Sequence, residues 1–250
     1  TGAKIQAVAR RGKFLWLPIS ESRAMVGHLG MSGQILVRTP DFTPDPQTRV
    51  VIEVENASGE DLEIRFVDQR LFGGLAIDDL IATSDLLPSG YSPEAPVGTQ
   101  IPGTVAHISR DLLDDHFDID GVVAKMAKKN SGIKRVLLDQ GILSGIGNIY
   151  ADESLWLAKL HYDKPAAEIS KKKLKELVVI ATDVLRKAVA QGGTSFDEQY
   201  KNVNGESGYF SQSLNAYGQT GLPCNRCGTQ IRREAWANRG SHFCPKCQKR

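Results

Sequence analysis

Residues 224–247 read CNRCGTQIRREAWANRGSHFCPKC, so two Cys-x2-Cys pairs stand sixteen residues apart. Each pair bends the backbone so that both thiolates can face one ion, and the spacing is typical of zinc sites. Four sulfurs complete a closed tetrahedron with no position for water, which predicts one structural Zn²⁺. Redox pairs or disulfides are the alternative. The predicted ligands are all four cysteines of the chain, Cys224, Cys227, Cys244 and Cys247.

The residues between the two pairs predict a β-hairpin. Its arms are Ile231-Arg232-Arg233-Glu234 and Ser241-His242-Phe243, and Arg239 lies near its tip. A basic hairpin fastened by a metal ion favours a nucleic-acid-binding finger.

Upstream of this finger, the hydrophobic pattern changes near residue 105. Before that point, short apolar runs are separated by Gly-, Pro- and Asn-containing turns, which predicts an antiparallel β-sandwich or barrel. Residues 86–103 contain seven Pro or Gly and predict a connection to a second domain. The predicted strands lie within residues 5–9, 14–17, 34–37, 50–54 and 62–66.

After residue 105 the pattern becomes helical. Asp120 is expected to cap one helix, and a longer amphipathic helix starts at Ser170 and ends at Gly192-Gly193.

Between these two helices, residues 133–160 predict a helix, a turn and a second helix. Gly145 and Gly147 precede the second helix, which is expected to begin at Asn148. Without side chains there, a phosphate could approach the backbone N–H groups at the helix start.

The net charge of +2 is unevenly distributed. Residues 1–40 hold six Lys or Arg against one acid and residues 201–250 hold eight against two, so residues 41–200 carry −9. Two basic ends around an acidic middle favour a polyanion held from two sides, although solvated charge without a partner is the alternative. No run approaches the ~18 apolar residues of a membrane span. We see no secretion signal, and we expect a cytoplasmic protein with no membrane association.

Four motifs follow one another along the chain: His28-Leu29-Gly30-Met31-Ser32-Gly33, Asp68-Gln69-Arg70-Leu71-Phe72-Gly73, Gly145-Ile146-Gly147-Asn148-Ile149-Tyr150-Ala151 and the four-cysteine finger. In this order they resemble the formamidopyrimidine-DNA glycosylase family, and the resemblance covers nearly the whole chain. Family members remove oxidised purines, such as 8-oxoguanine and formamidopyrimidines, and cut the strand at the resulting abasic site.

The resemblance implies a multidomain α+β fold. It consists of an antiparallel β-sandwich in residues 1–105, incomplete at its start, a helical domain with a helix–two-turn–helix in 106–218, and a four-cysteine zinc finger in 219–250. The implied partner is double-stranded DNA with oxidised bases or abasic sites, bound by a monomer that is associated with the nucleoid.

A base inside a duplex is unreachable, so such an enzyme must turn the damaged nucleotide out. The resemblance assigns Met31, Arg70 and Phe72 to the space that the base leaves. Two apolar side chains and one cation suit that task. Core packing is the alternative for Met31 and Phe72, but both lie in Gly-flanked loops.

The resemblance implies two further catalytic residues and three phosphate contacts. Lys13 matches a lysine that donates a proton during strand cleavage. Arg239 matches an arginine that contacts phosphates near the lesion and takes part in the last elimination. Residues 194–209 resemble the family's loop over the flipped base. The residues that match phosphate-contacting positions are Lys129, Lys134 and Asn148.

The family's nucleophile is an N-terminal proline, followed by a glutamate that acts as acid and base. An α-amine titrates near about 8, so a useful fraction can form a Schiff base at pH 7. This sequence begins Thr1-Gly2-Ala3 and has no Pro-Glu start. One hypothesis is a glycosylase whose first tens of residues precede Thr1, and another is a shortened paralogue that binds DNA without cutting it.

Two other protein classes are alternatives for the same residues. They are a zinc-ribbon regulator of DNA and an endonuclease VIII-like enzyme that acts on oxidised pyrimidines. The complete set of Met31, Arg70 and Phe72 argues against both.

Overall fold

A computed structural model describes residues 2–92, 97–193 and 213–250, and these fall into two units that meet in the chain after Val105. Among the described residues, the regular elements of the first unit are strands and one short 3-10 turn, and those of the second are the helices and the finger. The division coincides with the change of hydrophobic pattern near residue 105.

The first unit consists of two antiparallel sheets. One has the strand order β1-β2-β3-β7-β8 and the other the order β4-β6-β5. Leu17 and Met25 of the first sheet pack against Ile64 of the second, which makes the predicted β-sandwich. The strands are β1 (Ala9–Arg11), β2 (Phe14–Pro18), β3 (Arg23–His28), β4 (Gln34–Arg38), β5 (Thr48–Glu55), β6 (Asp61–Val67), β7 (Gly74–Ala82) and β8 (Gln100–Pro102).

The strand pattern at the start of the chain extends less far than predicted. Of the predicted strand 5–9, only Ala9 belongs to a strand, because β1 is the segment that pairs with β2. Part of the predicted connection 86–103 is also a strand, since Ile101 of β8 pairs with Ile81 of β7. Part of the predicted connection is therefore the edge strand β8 of the five-stranded sheet.

In the part of the chain that the structure describes, the second unit contains four α-helices, a 3-10 turn at Ala166–Glu168 and one hairpin. Ser170 caps α4 as predicted, because its hydroxyl accepts a hydrogen bond from the Lys173 N–H. The prediction that Asp120 caps α1 is wrong: the cap is Asp118, whose carboxylate accepts from the Gly121 N–H. The elements are α1 (Ile119–Met126), α2 (Ile133–Leu137), α3 (Asn148–Ala158), α4 (Lys171–Ala190), β9 (Arg232–Trp236) and β10 (Arg239–Phe243).

The finger and the helices share one hydrophobic core. Phe243 of β10 belongs to the same buried cluster as residues of all four helices. Trp156 of α3 packs against Cys224 and Ile231 of the finger. Residues 219–250, which the resemblance implies to be a zinc finger, therefore pack against the helices of the second unit.

Within the described residues, α4 is the longest helix at 20 residues. Neither it nor any other described helix combines the length and the apolar content that crossing a bilayer requires.

Candidate functional site

Two loops of the first unit carry the residues that are predicted to fill the space of a flipped base. Residues 29–33 join β3 to β4, and residues 68–73 join β6 to β7. Met31 is 60% exposed and Phe72 is 64% exposed, so neither is a core residue. Arg70 is exposed as well. The two loops thus present two apolar side chains and one cation to solvent.

Hydrogen bonds from both loops converge on the Asp68 carboxylate. Its Oδ1 accepts from the Ser32 hydroxyl at 2.6 Å and from the Arg70 N–H at 3.2 Å, and its Oδ2 accepts from the Gly73 N–H at 2.8 Å. Burial alone would raise the pKa of Asp68, but these hydrogen bonds outweigh it and lower the pKa. The carboxylate is therefore charged at neutral pH.

Glycine allows the backbones of the two loops to touch. Gly30 has φ of +61°, and a Cβ there would lie 2.5 Å from the Phe72 carbonyl carbon. A Cβ at Gly73 would lie 2.7 Å from the His28 carbonyl oxygen. Any larger residue at either position would push the loops apart.

Lys13 lies in the turn between β1 and β2, and it lines an open cavity of about 280 Å³ together with Arg10 and His28. Burial lowers the pKa of His28, and the charge of Lys13 lowers it further. The Nδ1 atom of His28 accepts a hydrogen bond from the Gly30 N–H at 3.1 Å, so the neutral imidazole helps to hold the loop that carries Met31.

Lys134 does not fit the prediction that it contacts a phosphate. Its side chain is fully buried, and its ammonium lies 2.6 Å from the Asp152 carboxylate. It also donates to the Gly240 carbonyl at 3.0 Å and to the Ser241 hydroxyl at 2.9 Å. Burial lowers the pKa of Lys134, and the Asp152 charge opposes this effect. The ammonium therefore contacts α3 and the hairpin, and it is not accessible to solvent.

The other predicted residues of the second unit lie around the same hairpin or on the surface. Asn148, at the start of α3, donates from Nδ2 to the Gly240 carbonyl at 3.2 Å. Arg239 is exposed at the start of β10, close enough for its charge to lower the pKa of Lys134. Lys129 is exposed between α1 and α2, with its ammonium 4.0 Å from Asp139.

The start of α3 has the predicted form. Gly147 is the N-cap, and no side chain caps this end within the described residues. Gly145 has φ of +91°, a conformation that favours glycine. Uncapped N–H groups with the positive end of the helix dipole make this a position at which an anion is stabilised.

The four cysteines form the metal centre. Their sulfur atoms all lie within 4.8 Å of one another, and the Cys227 and Cys244 sulfurs are 3.5 Å apart. Sulfurs at ~2.3 Å from a tetrahedral zinc would be ~3.8 Å apart, so the cluster fits one Zn²⁺ with four thiolate ligands. The cysteines form no disulfide. The Trp156 indole N–H donates to the Cys224 sulfur at 3.4 Å, which links the centre to α3.

Some functional contacts were not predicted from the sequence. Asp68 and Ser32 stand in the quoted motifs, but their mutual hydrogen bond joins residues far apart in the chain. Asp152 follows the third motif directly, and its carboxylate holds both Lys134 and the backbone N–H of His242. An acid next to a motif is too common a signal to reveal such a role. The predicted loop at residues 194–209 lies outside the described residues.

Comparison with known families matches three parts of the chain. Residues 1–75 match the formamidopyrimidine-DNA glycosylase N-terminal domain, residues 108–199 its H2TH domain, and residues 221–250 the zinc finger found in FPG and IleRS.

Comparison with individual proteins gives relatives along the full length of the chain. Formamidopyrimidine-DNA glycosylase of Leifsonia xyli is 53% identical over 100% of this chain and 84% of its own length. The protein of that name from a Nocardioides strain is 49% identical over 99% of this chain and 78% of its own length.

Among solved structures, a mutant FPG of Lactococcus lactis, bound to DNA that contains Fapy-dG, is 29% identical with a TM-score of 0.78. The match covers 100% of this chain and 84% of that one. The MutM (FPG) protein of Thermus thermophilus is 32% identical with a TM-score of 0.77, over 99% of this chain and 84% of that one.

Proposed function

This chain belongs to the formamidopyrimidine-DNA glycosylase family, and we propose that it binds duplex DNA at oxidised purines and abasic sites and turns the damaged nucleotide out of the helix. Its relatives bear the glycosylase name, and solved structures of similar proteins hold DNA with Fapy-dG or an abasic site. The observation that carries the proposal is the exposure of Met31, Arg70 and Phe72 on two fastened loops.

Flipping a nucleotide leaves a gap that water fills poorly. Unstacking a base step costs a few kcal/mol, and apolar wedges recover part of that cost. We propose that Met31 and Phe72 enter the gap and that Arg70 donates hydrogen bonds to the orphaned base. Arg70 suits this task because a guanidinium offers several donors in a fixed plane.

Base removal and strand cleavage in this family use an N-terminal proline amine. With that nucleophile, we propose that Lys13 supplies a proton during strand cleavage. Lys13 is exposed and lines the cavity of the first unit, where it can meet a substrate atom. Arg239 is exposed at the tip of the hairpin and is proposed to hold a phosphate near the lesion.

We propose that Lys134 acts on DNA only indirectly. Its ammonium and the Asn148 amide both donate to the Gly240 carbonyl, which directly follows Arg239. Fixing this carbonyl fixes the backbone from which the Arg239 side chain extends. Lys129 is exposed, and the second hydrogen on the Asn148 amide nitrogen offers another donor, so these two residues remain proposed phosphate contacts.

Binding of two duplexes tests the proposal. One duplex carries a tetrahydrofuran abasic analogue, and the other is undamaged but otherwise identical. We expect the chain to bind the first at least ~10-fold more tightly, since a missing base removes the cost of unstacking. Equal affinity for the two duplexes would contradict the proposal.

We further propose that the protein works as a monomer on chromosomal DNA in the cytoplasm, in association with the nucleoid. The support is its proposed substrate. Sedimentation with a labelled abasic duplex tests the stoichiometry: we expect one protein per lesion, and two would contradict a monomer.

A further inference from the structure

The proposed function gives no role to Asp68, although its side chain contacts both loops. Its carboxylate is fully buried, yet it accepts hydrogen bonds from both exposed loops. The Ser32 hydroxyl has a second role, because its oxygen also accepts from the Arg70 N–H at 3.2 Å. One carboxylate and one hydroxyl thus connect the segment that carries Met31 to the segment that carries Arg70 and Phe72.

The loop that Asp68 holds has an unfavourable conformation at its tip. Leu71 has φ of +58°, in the left-handed region, which is unfavourable for a residue with a side chain. It is also 65% exposed. Neither the backbone conformation nor an apolar side chain in water is favourable by itself. The hydrogen bonds from the N–H groups of Arg70 and Gly73 to Asp68 bracket Leu71 and support the turn.

We propose that Asp68, with Ser32, is a positioning residue that fixes Met31, Arg70 and Phe72 in one arrangement before DNA arrives. The inference rests on the proposed function of these three residues. A wedge that is already ordered loses less conformational entropy on insertion, so its fastening strengthens lesion binding. Contacts to DNA phosphates do not depend on this arrangement.

Only an ionised carboxylate satisfies all these donors. Each of its oxygens accepts and neither donates, so it serves Ser32, Arg70 and Gly73 together. In Asp68→Asn, an amide NH₂ must face either the Gly73 N–H or the Ser32 and Arg70 donors. One partly buried donor group is then left without its acceptor.

The experiment compares the binding of wild type, Asp68→Asn, Ser32→Ala and Ser32→Thr to the abasic and undamaged duplexes. We expect Asp68→Asn and Ser32→Ala to weaken lesion binding about 10-fold, as expected for a lost hydrogen bond to a charged group. Binding to undamaged duplex should stay within about 2-fold of wild type, because phosphate contacts dominate it. Ser32→Thr retains the hydroxyl and should recover most of the lesion affinity.

A second readout reports the wedge directly. 2-Aminopurine placed next to the lesion brightens when stacking is broken, and we expect a smaller increase with Asp68→Asn than with wild type. Asp78→Asn is the matched control, because that carboxylate accepts from the Thr104 N–H and hydroxyl on another part of the same unit. Its binding and fluorescence should equal those of wild type.

The outcomes separate this inference from the function on which it rests. A wild type that prefers the abasic duplex, with folded Asp68→Asn and Ser32→Ala variants that keep the same preference, would overturn the role of Asp68 alone. Equal losses on both duplexes would also overturn it, because they indicate general damage to the fold. A wild type with no lesion preference would overturn both proposals. If Asp68→Asn fails to fold, Ser32→Ala decides the question.

Discussion

We propose that Lys134 supports DNA binding without touching DNA. The resemblance implies a phosphate contact at this residue, whereas the structure buries its ammonium against Asp152 and the Gly240 carbonyl. Its partners lie on α3 and β10, so it joins α2 to both. Replacing a buried ion pair by apolar residues is often neutral for stability, so we infer that this pair serves to fix the arrangement of α2, α3 and β10.

Removing this ammonium should therefore damage the hairpin but leave the electrostatics of binding unchanged. Lys134→Met leaves Asp152 buried without its ammonium partner, and we expect a loss of ~3–5 kcal/mol in the free energy of unfolding by urea. At a temperature where the variant is folded, DNA affinity should fall while its dependence on salt keeps the wild-type slope. A slope smaller by about 0.9 would instead identify Lys134 as a phosphate contact.

We expect the free energy of unfolding to decrease in mild acid because of two histidines. Burial lowers the pKa of both His28 and His161, with a further lowering by Lys13 and Arg250 respectively. Each accepts a backbone N–H at Nδ1, which protonation would prevent. The unfolded chain, with imidazoles that titrate near ~6.5, therefore binds these protons more readily than the fold does.

The free energy of unfolding should accordingly be highest above pH ~7 and fall between pH ~7 and ~5. Urea titrations at both ends of this range measure it. His28→Asn places an amide oxygen that does not titrate near the position of Nδ1 and should show a smaller fall. The lowered pKa of Asp68 does not contribute in this window, because its effect belongs below pH ~4. Stability that is constant or rises toward pH ~5 would contradict the assignment.

At the scale of elements, the finger is joined to the helices through the zinc centre. Cys224 and Ile231 pack on Trp156, and Phe243 enters the helical core. Chelation of the metal should therefore release the hairpin and weaken DNA binding at least ~10-fold, because Arg239 loses its support. Affinity and tryptophan fluorescence measure the two effects, and re-addition of Zn²⁺ should restore both. Unchanged affinity after complete chelation would rule out a role for the finger in binding.

The elements that the sequence predicts well are those with a strong local signal. Helix α4 has a long apolar period and a serine cap, and the finger has four cysteines at a fixed spacing. By contrast, β7 was not predicted. Its strand contains the pair Asp78-Asp79, and the Asp78 carboxylate is stabilised by Thr104, a residue far along the chain. Likewise, the cap of α1 depends on which of two nearby aspartates meets Gly121.

At the functional site too, the sequence predicts residues with a local signal but not contacts between distant residues. Residues that are proposed to face DNA, such as Met31 and Phe72, can be identified from the sequence because the resemblance names them. Groups that support them through tertiary contacts cannot. Asp68 reaches Ser32 across 36 positions, and Lys134 reaches Gly240 across 106. No pattern along the chain encodes these pairs, since they exist only after folding.

At the scale of the whole molecule, charge predicts how binding responds to salt. Residues 1–40 and 201–250 are basic, with net charges of +5 and +6. The affinity for DNA should fall as salt rises, because each phosphate contact releases counterions. Arg239→Gln and Lys129→Gln should each reduce the slope by about 0.9. Lys175→Gln, whose ammonium pairs with Asp120, is the control and should leave it unchanged. Binding that does not depend on salt would contradict the proposed interface.

We propose that the two fastened loops recognise damage by occupying the place of a base. The most direct measurement is the ratio of affinities for abasic and undamaged duplexes in the double variant Met31→Ala/Phe72→Ala. We predict that the ratio falls at least ~10-fold toward unity, while the salt dependence keeps its wild-type slope. A double variant that binds the lesion as selectively as wild type would contradict the claim.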